Sequence, residues 1–304
     1  MIKNKETTFG KVESIFIVFV FFLFNTFPIQ GQSKSLLFRT ETKILHSNIL
    51  SEDLEIYISF PVDYFQNDSI SYPVLYCTDA NRNFNLISNI VNILSFPEKE
   101  IPRILVVGIG YKIKGLEDWA ALRRRDLTPT SYPEDDKKWE TYLVRASGRN
   151  NIVSKSGGAR SFLEFISAEL IPYIESNYRV KQDDRALMGY SHGGLFTLFT
   201  IFSRPETFQR YYAGSPSIWW DNKVILEYEK KYNDSHKDLS VNLFMSVGSL
   251  EDLSSIGDMY KLAGRLESRG YPKLKLETHI FEGETHSSCY AGGISRALKV
   301  LYNK

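Results

Sequence analysis

The chain has 304 residues, of which 43% are hydrophobic and 14% are aromatic, and its formal net charge is +1. This is an ordinary globular composition. The near-neutral charge gives no reason to expect nucleic acid or an anionic surface as a partner. With two cysteines only, Cys77 and Cys289, a disulfide scaffold and a cysteine zinc cluster are excluded. Two free thiols are the preferred interpretation, although export would permit a bridge.

The N-terminus has the pattern of a secretory signal. An unbroken apolar run, 15–24, follows three lysines and precedes the small residue Gly31. The run is shorter than the ~20 residues that a membrane-spanning helix needs. We therefore predict a signal peptide over 1–31 and a mature domain over 32–304 that is periplasmic or extracellular, with no membrane attachment after cleavage. An uncleaved N-terminal anchor is the alternative.

Strands and helices alternate along the rest of the chain. Short apolar or alternating runs bounded by turn signals predict strands at 55–60, 73–77, 103–109, 186–188, 211–214, 243–247 and 274–281. Apolar residues at helical spacing predict helices at 84–94, 161–178, 195–199, 256–266 and 294–301. This alternation predicts a single α/β domain with a mostly parallel central sheet flanked by helices.

One long segment, 116–156, has no clear periodicity. It is charged and irregular, and it contains two prolines and a run of three arginines. Long ordered loops in compact domains are often functional, so we predict an irregular excursion over the mouth of a site. A flexible surface insertion is the alternative.

The stretch Gly-Tyr-Ser-His-Gly-Gly at 189–194 predicts a nucleophile turn. It lies between a strand and a helix, which is where an α/β-hydrolase holds its nucleophilic serine in a strained turn. Small residues two positions either side of Ser191 are needed because side chains there would collide. The first N–H groups of the following helix, beginning with His192, would lie where an oxyanion forms.

A serine nucleophile needs a base, and the base needs an orienting acid. Among five histidines, His286 is the one that follows the last predicted strand, which favours it as the base. The loop after 243–247 offers Glu251 and Asp252 as the acid. Asp252 opens a helix and could serve only as its cap, so Glu251 is preferred. The order Ser191, Glu251, His286 is that of α/β-hydrolases.

The second oxyanion donor is expected in the loop that follows the strand at 73–77. That loop contains Asp79, Ala80 and Asn81. A backbone N–H group carries no sequence signature, and Asn81 is our first choice.

Several segments together resemble the esterase D branch of the α/β-hydrolases, over about residues 40–302. The resemblance depends on the segments at 72–76 and 189–196, on Arg-Asp-Leu-Thr-Pro at 125–129 and on Ser-Pro-Ser-Ile-Trp-Trp at 215–220. The last two segments resemble the ferric-siderophore trilactone esterases, and the feruloyl and acetyl esterases of carbohydrates are more distant relatives. Relatives often carry an apolar residue where this chain has His192.

The resemblance implies roles for individual residues. It implies that Ser191 is the nucleophile and His286 the base, while some relatives work with a Ser–His pair and no acid. Arg125 would contact an anionic or catechol-bearing substrate, with a structural salt bridge to Asp126 as the alternative. Trp220 would line the pocket, although large aromatic residues are usually in the core.

These observations predict an exported serine esterase that forms an acyl-enzyme, with a siderophore trilactone as the first candidate substrate. Carbohydrate esters, acyl transfer to another hydroxyl, and a non-catalytic siderophore- or glycan-binding module are the alternatives. The partner is a small-molecule or glycan ester. No metal or organic cofactor is implied, and the sequence does not determine the oligomeric state.

Overall fold

An eight-stranded sheet organises the described part of the chain, which is residues 39–150 and 152–302 of a computed structural model. The predicted signal peptide, 1–31, lies outside the described residues. The strands are β1 (Thr40–Ser47), β2 (Glu52–Ser59), β3 (Tyr72–Cys77), β4 (Leu105–Tyr111), β5 (Val180–Tyr190), β6 (Arg210–Gly214), β7 (Asn242–Gly248) and β8 (Lys275–Phe281).

The sheet has the order β1-β2-β4-β3-β5-β6-β7-β8. The strands β1 and β2 pair antiparallel, and β2 pairs antiparallel with β4, while every other pair is parallel. Parallel neighbours need crossover connections, and helices supply them. The predicted fold is confirmed as an α/β fold with a mostly parallel sheet flanked by helices.

Helices cover both faces of the sheet. They are α1 (Ala80–Ser95), α2 (Leu116–Asp126), α3 (Pro133–Ser147), α4 (Ala159–Phe165), α5 (Ile171–Asn177), α6 (His192–Ser203), α7 (Trp220–Lys223), α8 (Ile225–Ser235), α9 (Leu253–Arg269) and α10 (Cys289–Tyr302). A π-helical segment, Ile166–Leu170, joins α4 to α5.

The two faces of the sheet carry separate cores because side chains alternate along a strand. In β3, Val74 and Tyr76 belong to the core beneath α4, α6 and α9, whereas Leu75 and Cys77 belong to the core beneath α1 and α10. All four side chains are at most 1% exposed. Burial on both faces explains why the central strands are apolar runs rather than alternating patterns.

The segment 116–156 is helical over most of its length, so the prediction of an irregular excursion was wrong. The helix α2 begins where the Asp118 carboxylate accepts the N–H groups of Lys114 and Gly115, at 3.0 and 3.2 Å. The helix α3 begins with Pro133, which is favoured at the first helical position, and ends at Gly148 in the left-handed region, with φ 70°. The charged surface of both helices hides their weak apolar periodicity.

The parallel strands all end at the same edge of the sheet. The residues that follow β3, β5, β6, β7 and β8 at this edge include Asp79, Ser191, Ser215, Glu251 and His286. In open α/β sheets, sites form in the crevice beyond the carboxyl ends of the strands. The topology therefore collects side chains that are far apart in the sequence.

Candidate active site

Ser191 occupies a sharp turn between β5 and α6. Its backbone has φ 60° and ψ −116°, which is a strained conformation for a residue other than glycine. Its N–H donates to the Gly214 carbonyl at 2.9 Å. A Cβ atom on Gly189 would lie 2.0 Å from the Gly193 carbonyl oxygen, and one on Gly193 would lie 2.5 Å from Thr78 Oγ1. Close backbone approach therefore explains the glycines of this motif.

Ser191 and His286 line the same cleft, which has a volume of about 210 Å³. The cleft is also lined by Asp79, Arg82, Asn83, Trp119, Arg123, Tyr190, Ser287 and Tyr290. Ser191 Oγ lies 3.5 Å from Ser217 Oγ, and no hydrogen bond joins it to His286 within the described residues. Nucleophile–base hydrogen bonds are often long in ligand-free sites and shorten when a substrate binds.

Glu251 holds His286 at the edge of the cleft. Glu251 Oε2 lies 2.7 Å from His286 Nδ1, and Oε1 accepts hydrogen bonds from Ser215 Oγ at 2.6 Å and from the Gly248 N–H at 2.8 Å. Burial by itself raises the pKa of Glu251, but these hydrogen bonds outweigh it, and the pKa lies below its ordinary value of 4.5. Asp252 is the cap residue of α9. The structure thus brings Glu251 to His286.

A second set of hydrogen bonds joins this pair to β5, the strand that precedes Ser191. The Tyr190 hydroxyl donates to the His286 carbonyl at 2.5 Å, and it lies 2.7 Å from Ser215 Oγ and 3.0 Å from Cys289 Sγ. Ser215 has φ 37°, another strained position. Tyr190 and Ser215 therefore connect the loops of Ser191, Glu251 and His286, a role that no sequence pattern indicated.

The two cysteines are free thiols. Cys77 lies in the core beneath α1 and α10, whereas Cys289 lies beside Tyr190. Burial raises the pKa of both thiols. Both thiols therefore keep their proton at neutral pH.

Arg123 is the residue of α2 that reaches the site, and sequence reasoning missed it. Its guanidinium donates to both carboxylate oxygens of Asp79, at 2.7 and 2.9 Å, and Nη1 lies 3.3 Å from His192 Nδ1. The Asp79 side chain is 2% exposed. Arg123 therefore ties the start of α1 to the start of α6, the two turns expected to supply oxyanion donors.

His192 has a neutral imidazole. Burial and then the neighbouring cations Arg123 and Arg124 hold its pKa well below the ordinary value of 6.5. Because a guanidinium can only donate, Nδ1 accepts from Arg123 and the proton lies on Nε2. The ring packs against Trp220, with ring centres 5.4 Å apart. His192 thus packs beneath the turn at Ser191.

The side chains of three residues that the sequence favoured do not line the cleft. Arg125 forms a salt bridge with Asp126 at 2.7 Å and another with Glu52. The arrangement corresponds to the structural salt bridge that the sequence analysis gave as the alternative. Trp220 is 0% exposed and forms part of the core, and its indole N–H lies 3.3 Å from the Thr130 carbonyl. The Asn81 side chain bonds to the backbone of Tyr111 at 2.8 Å through both its oxygen and its nitrogen.

Helical geometry explains why Arg123 reaches the cleft and Arg125 does not. Residues four apart lie on one face of a helix, so Trp119 and Arg123 point together into the cleft. Arg125, two positions further along, lies on a different face, since each residue turns a helix by about 100°. The i, i+4 pairing with Trp119 was the signal in the sequence that could have identified Arg123.

The described residues contain no group of three or more His, Cys, Asp or Glu side chains that could hold a metal ion. None of the helices between residues 39 and 302 is long and apolar enough to cross a membrane.

The fold and the strained serine turn at its carboxyl edge define an α/β-hydrolase. Comparison with known proteins narrows this class. The esterase family model, described as "Putative esterase", matches residues 134–288. The chain belongs to this esterase family, close to the siderophore esterases, and it is a carboxylic ester hydrolase.

The relatives cover nearly the whole chain. Ferri-bacillibactin esterase BesA of Bacillus subtilis (strain 168) is 32% identical over 90% of this chain and 91% of its own length. Siderophore triacetylfusarinine C esterase of Aspergillus fumigatus is 28% identical over 84% of this chain and 90% of its own length. The crystal structure of the BES protein from Bacillus cereus superposes with a TM-score of 0.76, at 31% identity over 90% of this chain and 98% of that one.

Proposed function

We propose that this protein hydrolyses siderophore esters, with a catechol-bearing trilactone as its substrate, through Ser191, His286 and Glu251. The observation that carries the proposal is the buried Glu251 carboxylate, 2.7 Å from His286 Nδ1, at a cleft that also contains Ser191 in its strained turn. An acceptor at Nδ1 directs the proton to that nitrogen and leaves Nε2 free to act as a base.

The reaction then follows from ordinary acyl-transfer chemistry. Ser191 Oγ attacks the ester carbonyl while its proton passes to His286 Nε2, and Glu251 stabilises the imidazolium. Collapse of the tetrahedral intermediate transfers that proton to the leaving alkoxide and forms an acyl-serine. Water, deprotonated by His286, then attacks the acyl-serine. Collapse of this second tetrahedral intermediate releases the acid, and Ser191 Oγ takes the proton back from His286. The strained turn favours this sequence because it exposes Oγ beside the helix start.

Two backbone N–H groups would hold the oxyanion. One is the N–H of His192 at the start of α6, and the other comes from the first turn of α1, which Asp79 precedes. Asn81 lies in that turn, and its side chain is bonded elsewhere, so its contribution would be made by the backbone alone. The Arg123–Asp79 ion pair supports this assignment because it fixes the position of that turn relative to Ser191.

The choice of substrate is supported by the relatives. Two of them are named as esterases of siderophores, ferri-bacillibactin and triacetylfusarinine C, and both alignments span most of each chain. The cleft also carries the exposed cation Arg82, which suits an acidic catechol ligand, whereas the charge of Arg123 is compensated by Asp79.

We also propose that the protein is exported after cleavage of residues 1–31, which leaves the domain 32–304. The basic start and the short apolar run of the sequence support this proposal. N-terminal sequencing of the protein recovered from outside the cytoplasm tests it, and an intact N-terminus there would contradict it.

Substrate and nucleophile can be tested together. Purified protein is assayed on a dihydroxybenzoyl-serine trilactone, on feruloyl and acetyl xylan esters and on a short p-nitrophenyl ester, alongside Ser191→Ala. We expect the trilactone to give the highest kcat/KM and Ser191→Ala to abolish turnover and labelling by a fluorophosphonate. Preference for a carbohydrate ester would refute the substrate, and turnover by Ser191→Ala would refute the nucleophile. Product analysis with an added acceptor alcohol separates hydrolysis from acyl transfer.

A further inference from the structure

A second groove continues the catalytic cleft. It lies between α2 and α3, has a volume of about 330 Å³, and shares Arg82 and Trp119 with the cleft that contains Ser191. Sites for drug-sized ligands usually have volumes of about 300 to 1,000 Å³. The cleft alone, at about 210 Å³, is below that range, whereas cleft and groove together are within it.

The groove is aromatic and accessible. Trp139 and Tyr142 stack with ring centres 5.1 Å apart and an interplanar angle of 25°. Tyr142 is 58% exposed, and Leu116 on the opposite wall is 65% exposed. Exposed apolar residues that cluster in a concave surface mark binding sites more often than isolated ones do.

The floor of the groove is well packed. Ala120, Leu143 and Ile152 form a small buried cluster of their own, against which Trp119 and Trp139 pack. Trp139 is held by this cluster, whereas Tyr142 is exposed and packs against none of the buried clusters of the described residues. Packing of the core therefore does not explain the ring of Tyr142.

The charge at the junction specifies the chemistry of an occupant. Arg82 is exposed, and its guanidinium lies 5.0 Å from the centre of the Trp119 ring. Glu117, the acid of the groove, is paired with Arg149 at 2.6 Å. The groove therefore offers a flat aromatic surface with a cation at the end nearest Ser191. These features fit an aromatic ring that carries an acidic hydroxyl group.

We propose that the α2–α3 groove binds one aryl arm of the substrate while an ester of the lactone ring, beside another arm, lies at Ser191. This proposal rests on the proposed function and extends it, because it gives a substrate with several aryl arms an advantage over one with a single arm. A second copy of the chain is the alternative occupant, which a measurement of the oligomeric state distinguishes.

The experiment measures binding to protein that cannot turn over. Ser191→Ala is titrated by calorimetry with a dihydroxybenzoyl-serine trilactone and with the one-armed dihydroxybenzoyl-serine methyl ester. Adding Tyr142→Ala should raise the Kd of the trilactone about tenfold and leave the Kd ratio of the two ligands much closer to one. Tyr142→Phe, which keeps the ring, and Tyr260→Ala, a matched exposed tyrosine on α9, should leave the Kd ratio unchanged.

The outcomes separate the two proposals. If Tyr142→Ala weakens both ligands equally, or neither, the groove does not bind an aryl arm. If the trilactone binds in a Tyr142-dependent manner but the wild-type protein does not hydrolyse it, the proposed reaction is wrong, whereas the proposal that the groove binds an aryl arm is supported. A change of oligomeric state in Tyr142→Ala, measured by light scattering, would indicate a second copy as the occupant and overturn the proposal.

Discussion

Replacing Glu251 by glutamine tests the proposed acid with the least change in shape. The carboxylate is 5% exposed and accepts hydrogen bonds from His286, Ser215 and Gly248, and a longer one from Cys289 Sγ at 3.8 Å. The amide oxygen of glutamine can keep the bonds to Ser215 and Gly248, which places its NH₂ group against His286 Nδ1. His286 must then accept at Nδ1 and carry its proton on Nε2, where it cannot take a proton from Ser191.

The size of the loss follows from the distance. Two unit charges about 4 Å apart interact by about 4 kcal/mol at an effective dielectric constant of 20, which corresponds to about a thousandfold in rate. Solvent reduces this value because the His286 side chain is 48% exposed, whereas the reversed tautomer adds to the loss. We therefore expect Glu251→Gln to lower kcat by about 10²- to 10³-fold.

The assay is hydrolysis of a short p-nitrophenyl ester between pH 6 and 9, with urea unfolding as the control for stability. Asp252→Asn is the matched control because Asp252 adjoins Glu251 at the N-cap position of α9, where its side chain makes no capping hydrogen bond. Its kcat should stay within twofold of wild type. A kcat for Glu251→Gln within tenfold of wild type would show that the protein works with a Ser–His pair. The loss must also persist at high pH, since it does not arise from protonation of His286.

Three further predictions concern stability. Gly189→Ala should destabilise the fold by more than about 3 kcal/mol, because its Cβ would lie 2.0 Å from the Gly193 carbonyl oxygen. Arg123→Met should cost about 3–5 kcal/mol, since it leaves the Asp79 carboxylate buried without its partner. His192→Leu should make the stability of the fold less sensitive to acid. Below pH 6.5 the unfolded histidine binds a proton that the folded one excludes, so wild-type stability falls by up to about 1.4 kcal/mol per pH unit.

Urea unfolding measures the stability of all three variants, and each variant has its own control. Gly264→Ala in α9, where an added Cβ meets nothing within 4 Å, should be neutral or stabilising. Equal effects of the two glycine substitutions would refute the steric explanation. Arg123→Lys keeps a positive charge beside Asp79, so it should lose less stability to unfolding than Arg123→Met. For His192, unfolding at pH 7, 6 and 5 is compared with wild type, and identical slopes would contradict a depressed pKa.

Much of the fold and the centre of the site could be predicted because the signals are local. Apolar runs bounded by turn residues locate the central strands, since a strand covered on both faces has no polar side. The turn at Ser191 is readable because only small residues fit beside it. Ser191, Glu251 and His286 were selected because each follows a predicted strand, and parallel strands end at one edge.

The features that the sequence did not predict depend on which side of a helix or loop faces the cleft. The helices α2 and α3 were missed because their charged surfaces mask the periodicity of their apolar residues. Arg125 and Trp220 have the residue types of a binding site, yet Arg125 lies on another face of α2 and Trp220 is wholly buried. Tyr190 and Ser215 join loops that lie far apart in the sequence.

The sequence alone therefore determined the seven strands from β2 to β8, the turn at Ser191 and the residue types beyond each strand, because neighbouring residues encode these features. The tertiary structure decided that Glu251 meets His286, that Arg123 rather than Arg125 reaches the cleft, and that an aromatic groove continues it. The reason is physical: these contacts depend on the rotation of helices and the packing of loops, which no short segment specifies.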